Sequence, residues 1–143
     1  MSELHFDLFI IFSGSMPIPR SLDGFDIMAA VERMLDQPTL WWQALGLFVA
    51  HFSDWEQGWQ ACIGDDVLER KRVHAVRSAA ANVGAVRLAE SAAALEAWLL
   101  ARQAGMAGGD ADALRRQLLV DFRQSWQAAA EAWETNGSGA QHE

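Results

Sequence analysis

The sequence of 143 residues contains no tyrosine, only three prolines and a single cysteine. Few prolines, together with abundant alanine and leucine, favour helices over sheets. Because Cys62 has no partner for an internal disulfide, a reducing cytoplasm is the expected compartment. Basic residues are also scarce: 11 Lys and Arg against 19 Asp and Glu give a net charge of -8. Nucleic-acid binders gain much of their affinity by neutralising phosphates, so this charge argues against that class.

Long apolar runs are absent as well. The apolar stretch at residues 8–12 is far shorter than the ~20 residues that span a bilayer. It follows Glu3 and Asp7 rather than a positively charged segment, so we expect neither a signal peptide nor a membrane anchor. The segment could dock on the rest of the protein or extend from it, and the sequence does not separate these alternatives.

Composition and length predict one globular domain with flanking segments. Hydrophobic residues make up 51% of the chain and charged residues 21%, and the length suits one core. Serine, glycine and proline recur in residues 13–24, which is typical of a linker. We therefore expect an N-terminal extension and linker at 1–21, a helical bundle at 22–135 and a disordered polar tail at 136–143.

The first half of the bundle is predicted to hold two helices. Asp26 can cap a short helix through about Leu35, and Pro38 suits the first turn of the next. Aromatic and apolar residues then follow at spacings of 4, 3, 4, 3 and 4, which predicts one long amphipathic helix ending at Gly64. This stripe comprises Trp41, Leu45, Phe48, Phe52, Trp55 and Trp59.

The second half predicts three more helices. The run Asp66-Val67-Leu68-Glu69 resembles a capping box and opens a helix that Gly84 can end. Asp110, after a glycine-rich loop, can cap the last helix. The two final helices carry the apolar stripes Leu88, Ala92, Leu95, Leu99 and Leu114, Leu118, Phe122, Trp126, Ala129, Trp133. Four long helices with short connections predict an all-α fold: an antiparallel up-down-up-down four-helix bundle with an additional short N-terminal helix.

His74 lies in the middle of the helix that starts near Asp66. Four apolar residues fall about 180° to 260° from it on a helical wheel, and they are expected to face the core. They are Val73, Val76, Ala80 and Val83. His74 is therefore predicted to point outward. The residues three and four positions away share its face: Arg70, Lys71, Arg77 and Ser78.

This pattern is chemically suited to receiving a phosphoryl group. A neutral imidazole offers a nucleophilic nitrogen near neutral pH, and arginine or lysine can stabilise the charge of the product. The small side chains of Ser78 and Ala81 leave room for another protein to approach. The competing interpretation is a solvated histidine in a charged helix face, which needs no function.

The histidine helix resembles the phosphoacceptor helix of histidine phosphotransfer (HPt) domains. That family has a histidine, a lysine three residues on, a glycine four on, small residues, and a Gly-Ala pair ten and eleven on. The matching residues here are His74, Arg77, Ser78, Ala79, Ala80, Ala81, Gly84 and Ala85. Leu88, the Leu95-Glu96 pair and Gly24-Phe25-Asp26 also look like the family, so the resemblance covers about residues 22–133. Arg77 and Ser78 depart from the usual lysine and glycine, and Glu69 occupies a usually apolar position.

The resemblance implies a phosphorelay carrier. His74 would be the phosphoacceptor and Arg77 would stabilise the phosphoryl group. The residues that would contact the partner are Arg70, Lys71, Ser78 and Ala81. The partner would be a receiver domain of a response regulator or hybrid kinase, which brings the Mg²⁺. The chain itself is expected to be a cytoplasmic monomer without cofactor, metal, nucleic-acid or membrane partner, and without nucleotide-dependent kinase activity.

Two other functions stay open at this point. The chain could be a helical interaction module that binds a receiver or signalling partner without transferring phosphate, with Arg77 and Ser78 marking a lost activity. It could also be a bundle that binds a small molecule through its seven tryptophans. Their helical spacing favours core packing instead. His51 is expected to be a partly buried packing residue, and Cys62 a packing residue at a helix end.

Overall fold

The computed structural model describes residues 18–106 and 108–141, with side chains described through residue 136. Within these ranges the chain is helical, and no strand is formed beyond one antiparallel bridge between Phe25 and Ala85. The helices are α1 (Ile27–Arg33), α2 (Pro38–His51), α3 (Trp55–Cys62), α4 (Asp66–Val83), α5 (Val86–Gln103) and α6 (Asp112–Gln141). The predicted all-α class is confirmed. Residues 1–17, most of the predicted extension, lie outside the described residues.

The helices pack as a bundle. α4 lies along α5, α5 along α6, α6 against α2, and α2 against α4. The short helix α1 packs on α2 and α4, and α3 packs on α4. The space between them is filled by fully buried side chains, which include Trp41, Leu45, Val76, Leu95 and Leu118. The predicted stripes of α5 and α6 face this core: Leu88, Ala92, Leu95, Leu99, Leu118, Phe122 and Ala129 are buried. No described helix has both the length and the apolar character needed to cross a membrane.

The end of α4 is joined to the start of α1. Asp26 caps α1 by accepting a hydrogen bond from Ala29 N–H at 3.1 Å, and its own N–H donates to Gly84 O at 2.8 Å. Gly84 has φ +83°, so it is the left-handed stop that the sequence predicts. A Cβ at this position would lie 2.6 Å from the Asp26 carbonyl oxygen. The glycine therefore serves both the turn and the close approach of α1.

The predicted single helix through the aromatic stripe is wrong. α2 ends at His51 and α3 begins at Trp55, because Phe52 N–H closes α2 on Phe48 O and Trp55 N–H then turns back to Phe52 O. The aromatic residues after the turn are also buried, because the Trp55 and Trp59 side chains both hydrogen bond to α4. Trp55 Nε1 donates to Arg72 O at 2.9 Å, so α3 is joined to α4 by a tertiary contact.

The start of α4 also differs from the prediction. Asp65, not Asp66, is the cap, and its carboxylate accepts from Leu68 N–H at 3.2 Å. The predicted capping box is wrong because the Glu69 side chain is fully buried and turned toward α6. Its two oxygens accept from Arg115 Nε at 2.9 Å and Nη2 at 2.8 Å, and Trp59 Nε1 donates to it at 3.0 Å. These partners offset the cost of burying a carboxylate.

The remaining helix ends agree with the prediction only in part. α1 ends at Arg33 rather than Leu35, since Leu35 and Asp36 both have positive φ. Asp110 is not the cap of the last helix, because α6 begins at Asp112 and Ala111 occupies the cap position. The Asp110 side chain lies one residue earlier and accepts from Asp112 N–H at 2.9 Å. The backbone of α6 continues to Gln141, whereas the sequence predicts a disordered tail from residue 136. Residues 136–141 contain no proline, so each of them has the backbone N–H that a continuing helix requires.

Gly84→Ala is expected to destabilise the protein more than Gly105→Ala. Gly105 has a similar φ of +73°, but no atom lies within 4 Å of the place that an added methyl group would take. Gly105→Ala therefore measures only the free-energy cost of a side chain in the left-handed conformation, which is on the order of 1–2 kcal/mol. Gly84→Ala adds the clash with the Asp26 carbonyl. Urea denaturation followed by tryptophan fluorescence measures both free energies of unfolding. Equal losses in the two variants would show that the approach of α1 does not constrain position 84.

Candidate functional site

His74 stands on the outer face of α4, as predicted. Val73, Val76, Ala80 and Val83 are buried against the core, and the His74 side chain is 56% exposed. A side chain so exposed contributes little to packing. Its position is instead fixed by a hydrogen bond to the neighbouring helix.

Glu96 on α5 is the residue that fixes His74. Its Oε2 lies 2.8 Å from His74 Nδ1, and its Oε1 accepts from Arg77 Nη1 at 2.7 Å. The Glu96 side chain is only 6% exposed, whereas Arg77 is about half exposed. One buried carboxylate therefore joins His74 and Arg77, the two residues for which the resemblance implies the roles of phosphoacceptor and phosphate-stabilising group.

The role of Glu96 was not predicted from the sequence, where it stood out only as part of a family-like Leu95-Glu96 pair. The sequence nevertheless held an indication that Glu96 lies near His74. α4 and α5 are connected by two residues, Gly84 and Ala85, so they form a helical hairpin. His74 precedes this connection by ten residues and Glu96 follows it by eleven, which places them opposite each other.

The Glu96 carboxylate is held in its ionised form. Burial raises its pKa, but hydrogen bonds from Arg77 and His74, together with the charge of these groups, outweigh burial and bring the pKa below the usual value. An ionised carboxylate only accepts hydrogen bonds. The proton of a neutral His74 ring therefore lies on Nδ1, and the lone pair lies on Nε2. No residue within the described ranges hydrogen bonds to Nε2.

The predicted partner-binding residues differ in exposure. Lys71, Ser78 and Ala81 are exposed on the face of His74, as expected. Arg70 is half-buried, and its Nε is buried without a hydrogen-bond partner, so its charge is less accessible than the helical wheel indicates. A further cation from α1 reaches this face: Arg33 Nη2 donates to Ala81 O at 2.6 Å. No local sequence pattern pointed to this contact.

A groove lies beside the histidine, between α1, α4 and α5. It has a volume of about 440 Å³, and Arg33 and Arg77 are among its lining residues. Most of the remaining lining is small: Ala29, Ala80, Ala81, Gly84, Ala89 and Ala93. The surface next to Arg77 is therefore recessed and partly apolar, which suits the approach of another protein.

The other candidate groups do not assemble into a site. His51 is exposed where α2 ends, so the expectation that it is a partly buried packing residue is wrong. Cys62 is the last residue of α3 and is half-buried, as expected. Within residues 18–106 and 108–141, no cluster of three or more His, Cys, Asp or Glu side chains is placed to hold a metal ion. Four tryptophans, Trp41, Trp42, Trp55 and Trp59, lie in the core.

The hydrogen bond to Glu96 predicts an unusual tautomer for His74. At a pH where the ring is neutral, the proton of His74 should lie on Nδ1, whereas Glu96→Ala should release the ring to the Nε2–H form or a mixture. Long-range ¹H–¹⁵N correlation spectra distinguish the two forms. His51, which is exposed on another helix, serves as the internal control. The same His74 tautomer in wild type and Glu96→Ala would contradict the assignment.

Comparison with family models, with curated proteins and with solved structures finds no match to this chain. Its functional interpretation therefore depends on the geometry around His74 and on the resemblance of the His74 helix.

Proposed function

We propose that this protein is a histidine-containing phosphotransfer protein. His74 accepts a phosphoryl group from the aspartate of one receiver domain and passes it to another receiver in a phosphorelay. The observation that carries the proposal is the exposed His74 ring with Nδ1 bound to the buried Glu96 carboxylate, 2.8 Å away. This bond directs the free lone pair to Nε2, the nitrogen that the described part of the chain leaves open. As part of the same proposal, α2, α4, α5 and α6 form the up-down-up-down bundle of an HPt domain.

The chemistry is an in-line displacement at phosphorus. The Nε2 lone pair forms the new P–N bond as the P–O bond to the receiver aspartate breaks, and the aspartate carboxylate leaves with the electron pair. Such a transfer depends mainly on positioning and charge stabilisation. Arg77 lies one turn from His74 and uses Nη1 for Glu96. The remaining N–H groups of its guanidinium are chemically able to donate to the phosphoryl oxygens.

The proposed partner complements the face around His74. Receiver pockets are acidic and hold Mg²⁺, which the partner supplies. This chain places three cations there, Arg33, Lys71 and Arg77, despite its net charge of -8. Opposite local fields speed association and fix the orientation of the two proteins. The protein would work as a monomer in the cytoplasm, where such relays meet their regulators.

One departure from the family, Arg77, fits this geometry, whereas the other, Ser78, adds a small side chain to the docking face. Arg77 replaces a lysine, and its planar group bonds Glu96 while keeping further donors for a phosphoryl group. Ser78 replaces a glycine, and it is exposed rather than packed, so its hydroxymethyl group projects where the receiver would approach. Transfer is expected to tolerate both residues.

His74→Gln is expected to fold normally and to take no phosphoryl label. Each variant would be incubated with a panel of ³²P-labelled receiver domains, and the acid-labile, alkali-stable label on this chain would be counted. His51→Gln is the matched control, because His51 is also exposed on a helix, and it should be labelled like wild type. Label on His74→Gln would refute the assignment. Wild type that binds a receiver but takes no label would favour the interaction module instead.

Arg77→Ala is expected to slow transfer to His74 about tenfold, because a hydrogen bond to a charged group contributes roughly 1.5–3 kcal/mol and part of that acts in the transition state. Arg77→Lys should largely preserve the rate. Arg87→Ala is the control: Arg87 makes an exposed ion pair with Asp23, away from His74. Single-turnover transfer at two salt concentrations measures the effect. A wild-type rate for Arg77→Ala at both would show that Arg77 is only a surface charge.

A further inference from the structure

The group that binds His74 Nδ1 is a carboxylate, and this choice has a chemical consequence. A neutral acceptor such as an amide oxygen could also fix the tautomer of the ring. The Glu96 carboxylate in addition places a negative charge 2.8 Å from Nδ1, on a side chain that is only 6% exposed. A charge so close to the ring and so poorly solvated acts on the ring whenever the ring becomes positive.

We propose that Glu96 is a positioning residue that keeps the Nδ1 proton on the phosphorylated His74 ring, an inference that rests on the proposed function. The phosphoryl group is thereby kept in a form that can be transferred in both directions at neutral and mildly alkaline pH.

The charge balance of the transfer explains why this proton matters. When Nε2 of the neutral ring attacks phosphorus, the proton stays on Nδ1, so the phosphorylated ring carries a positive charge. When the next acceptor attacks, the P–N bond breaks and the ring leaves as neutral imidazole, with the electron pair on Nε2. Loss of the Nδ1 proton before that step would force the ring to leave as an imidazolide anion, which is a much poorer leaving group. A negative group at Nδ1 opposes this loss.

Glu96 is kept negative by its two hydrogen-bond partners on α4. On α4, His74 and Arg77 bind one oxygen each, and the nearby Lys71 is exposed. On its own helix the residues one turn away are uncharged: Ala92, Ala93, Leu99 and Leu100. On α6, which packs along the other side of α5, the buried Asp121 is hydrogen bonded by Gln117.

Arg77 has a second role in this arrangement. It holds Oε1 of Glu96 at 2.7 Å and so stabilises the ionised carboxylate. Glu96 is thus prevented from taking the Nδ1 proton for itself, and the proton stays on the ring.

The test measures the stability of the phosphorylated histidine without any receiver. Wild type and Glu96→Gln are loaded with potassium phosphoramidate, and loss of the P–N signal to water is followed by ³¹P NMR between pH 6 and pH 11. Hydrolysis is faster for the protonated ring, so its rate falls at the pH where Nδ1 loses its proton. In Glu96→Gln this fall should occur about one pH unit or more lower than in wild type, since an amide keeps the hydrogen bond but not the charge.

Two further variants make the result specific to the charge at this position. Glu96→Asp keeps the negative charge and should shift the profile back toward wild type, and urea denaturation confirms that each variant is folded. Glu56→Gln removes a carboxylate that is paired with Arg123 on the α3 and α6 surface, and it should leave the profile unchanged. Identical profiles for wild type and Glu96→Gln, or an equal shift in Glu56→Gln, would overturn the inference. Failure of the proposed function would differ, because wild type would then accept no label from any receiver.

Discussion

The site depends on one buried carboxylate. Glu96 is placed between an exposed histidine and an exposed arginine, and it is nearly inaccessible itself. A buried, unpaired carboxylate would be costly, so the two hydrogen bonds to His74 and Arg77 stabilise the fold at this point as well as orienting the ring. In this structure each oxygen of Glu96 has one of these partners, and the contact with Oε2 holds His74 in one orientation. The same contacts therefore stabilise the carboxylate and leave His74 Nε2 on the outer side of the ring.

The helix that presents His74 is held at both ends. At its C-terminal end, Gly84 allows the Asp26 backbone to approach and donate a hydrogen bond at 2.8 Å. Near its N-terminal end, Glu69 is fully buried and bound to Arg115 of α6 and Trp59 of α3. Under the proposed function, such rigid support would hold His74 in position for an incoming phosphoryl group. The part of α4 that stays open to a partner is the exposed face around His74.

Features that depend on the local sequence pattern could be predicted from the sequence. The outward direction of His74 follows from the burial of residues such as Val76 and Val83, and Gly84 follows from the steric demand of a left-handed turn. The sequence did not reveal contacts between helices. Glu96 was not recognised as the His74 partner because the two are 22 residues apart, and Glu69 was assigned to a cap because a buried acid has no distinct local pattern. The turn between α2 and α3 was missed because the aromatic spacing continues through it.

The position of the phosphoryl group on the His74 ring tests the proposed role of Glu96 most directly. After phosphorylation by a receiver domain, ³¹P and ¹⁵N NMR of the labelled protein can tell a phosphoryl group on Nε2 from one on Nδ1. We expect phosphorylation of His74 at Nε2, with Nδ1 still protonated beside Glu96. A phosphoryl group on Nδ1 would require the contact with Glu96 to break, and that result, or phosphorylation at another histidine, would contradict the proposed role of His74.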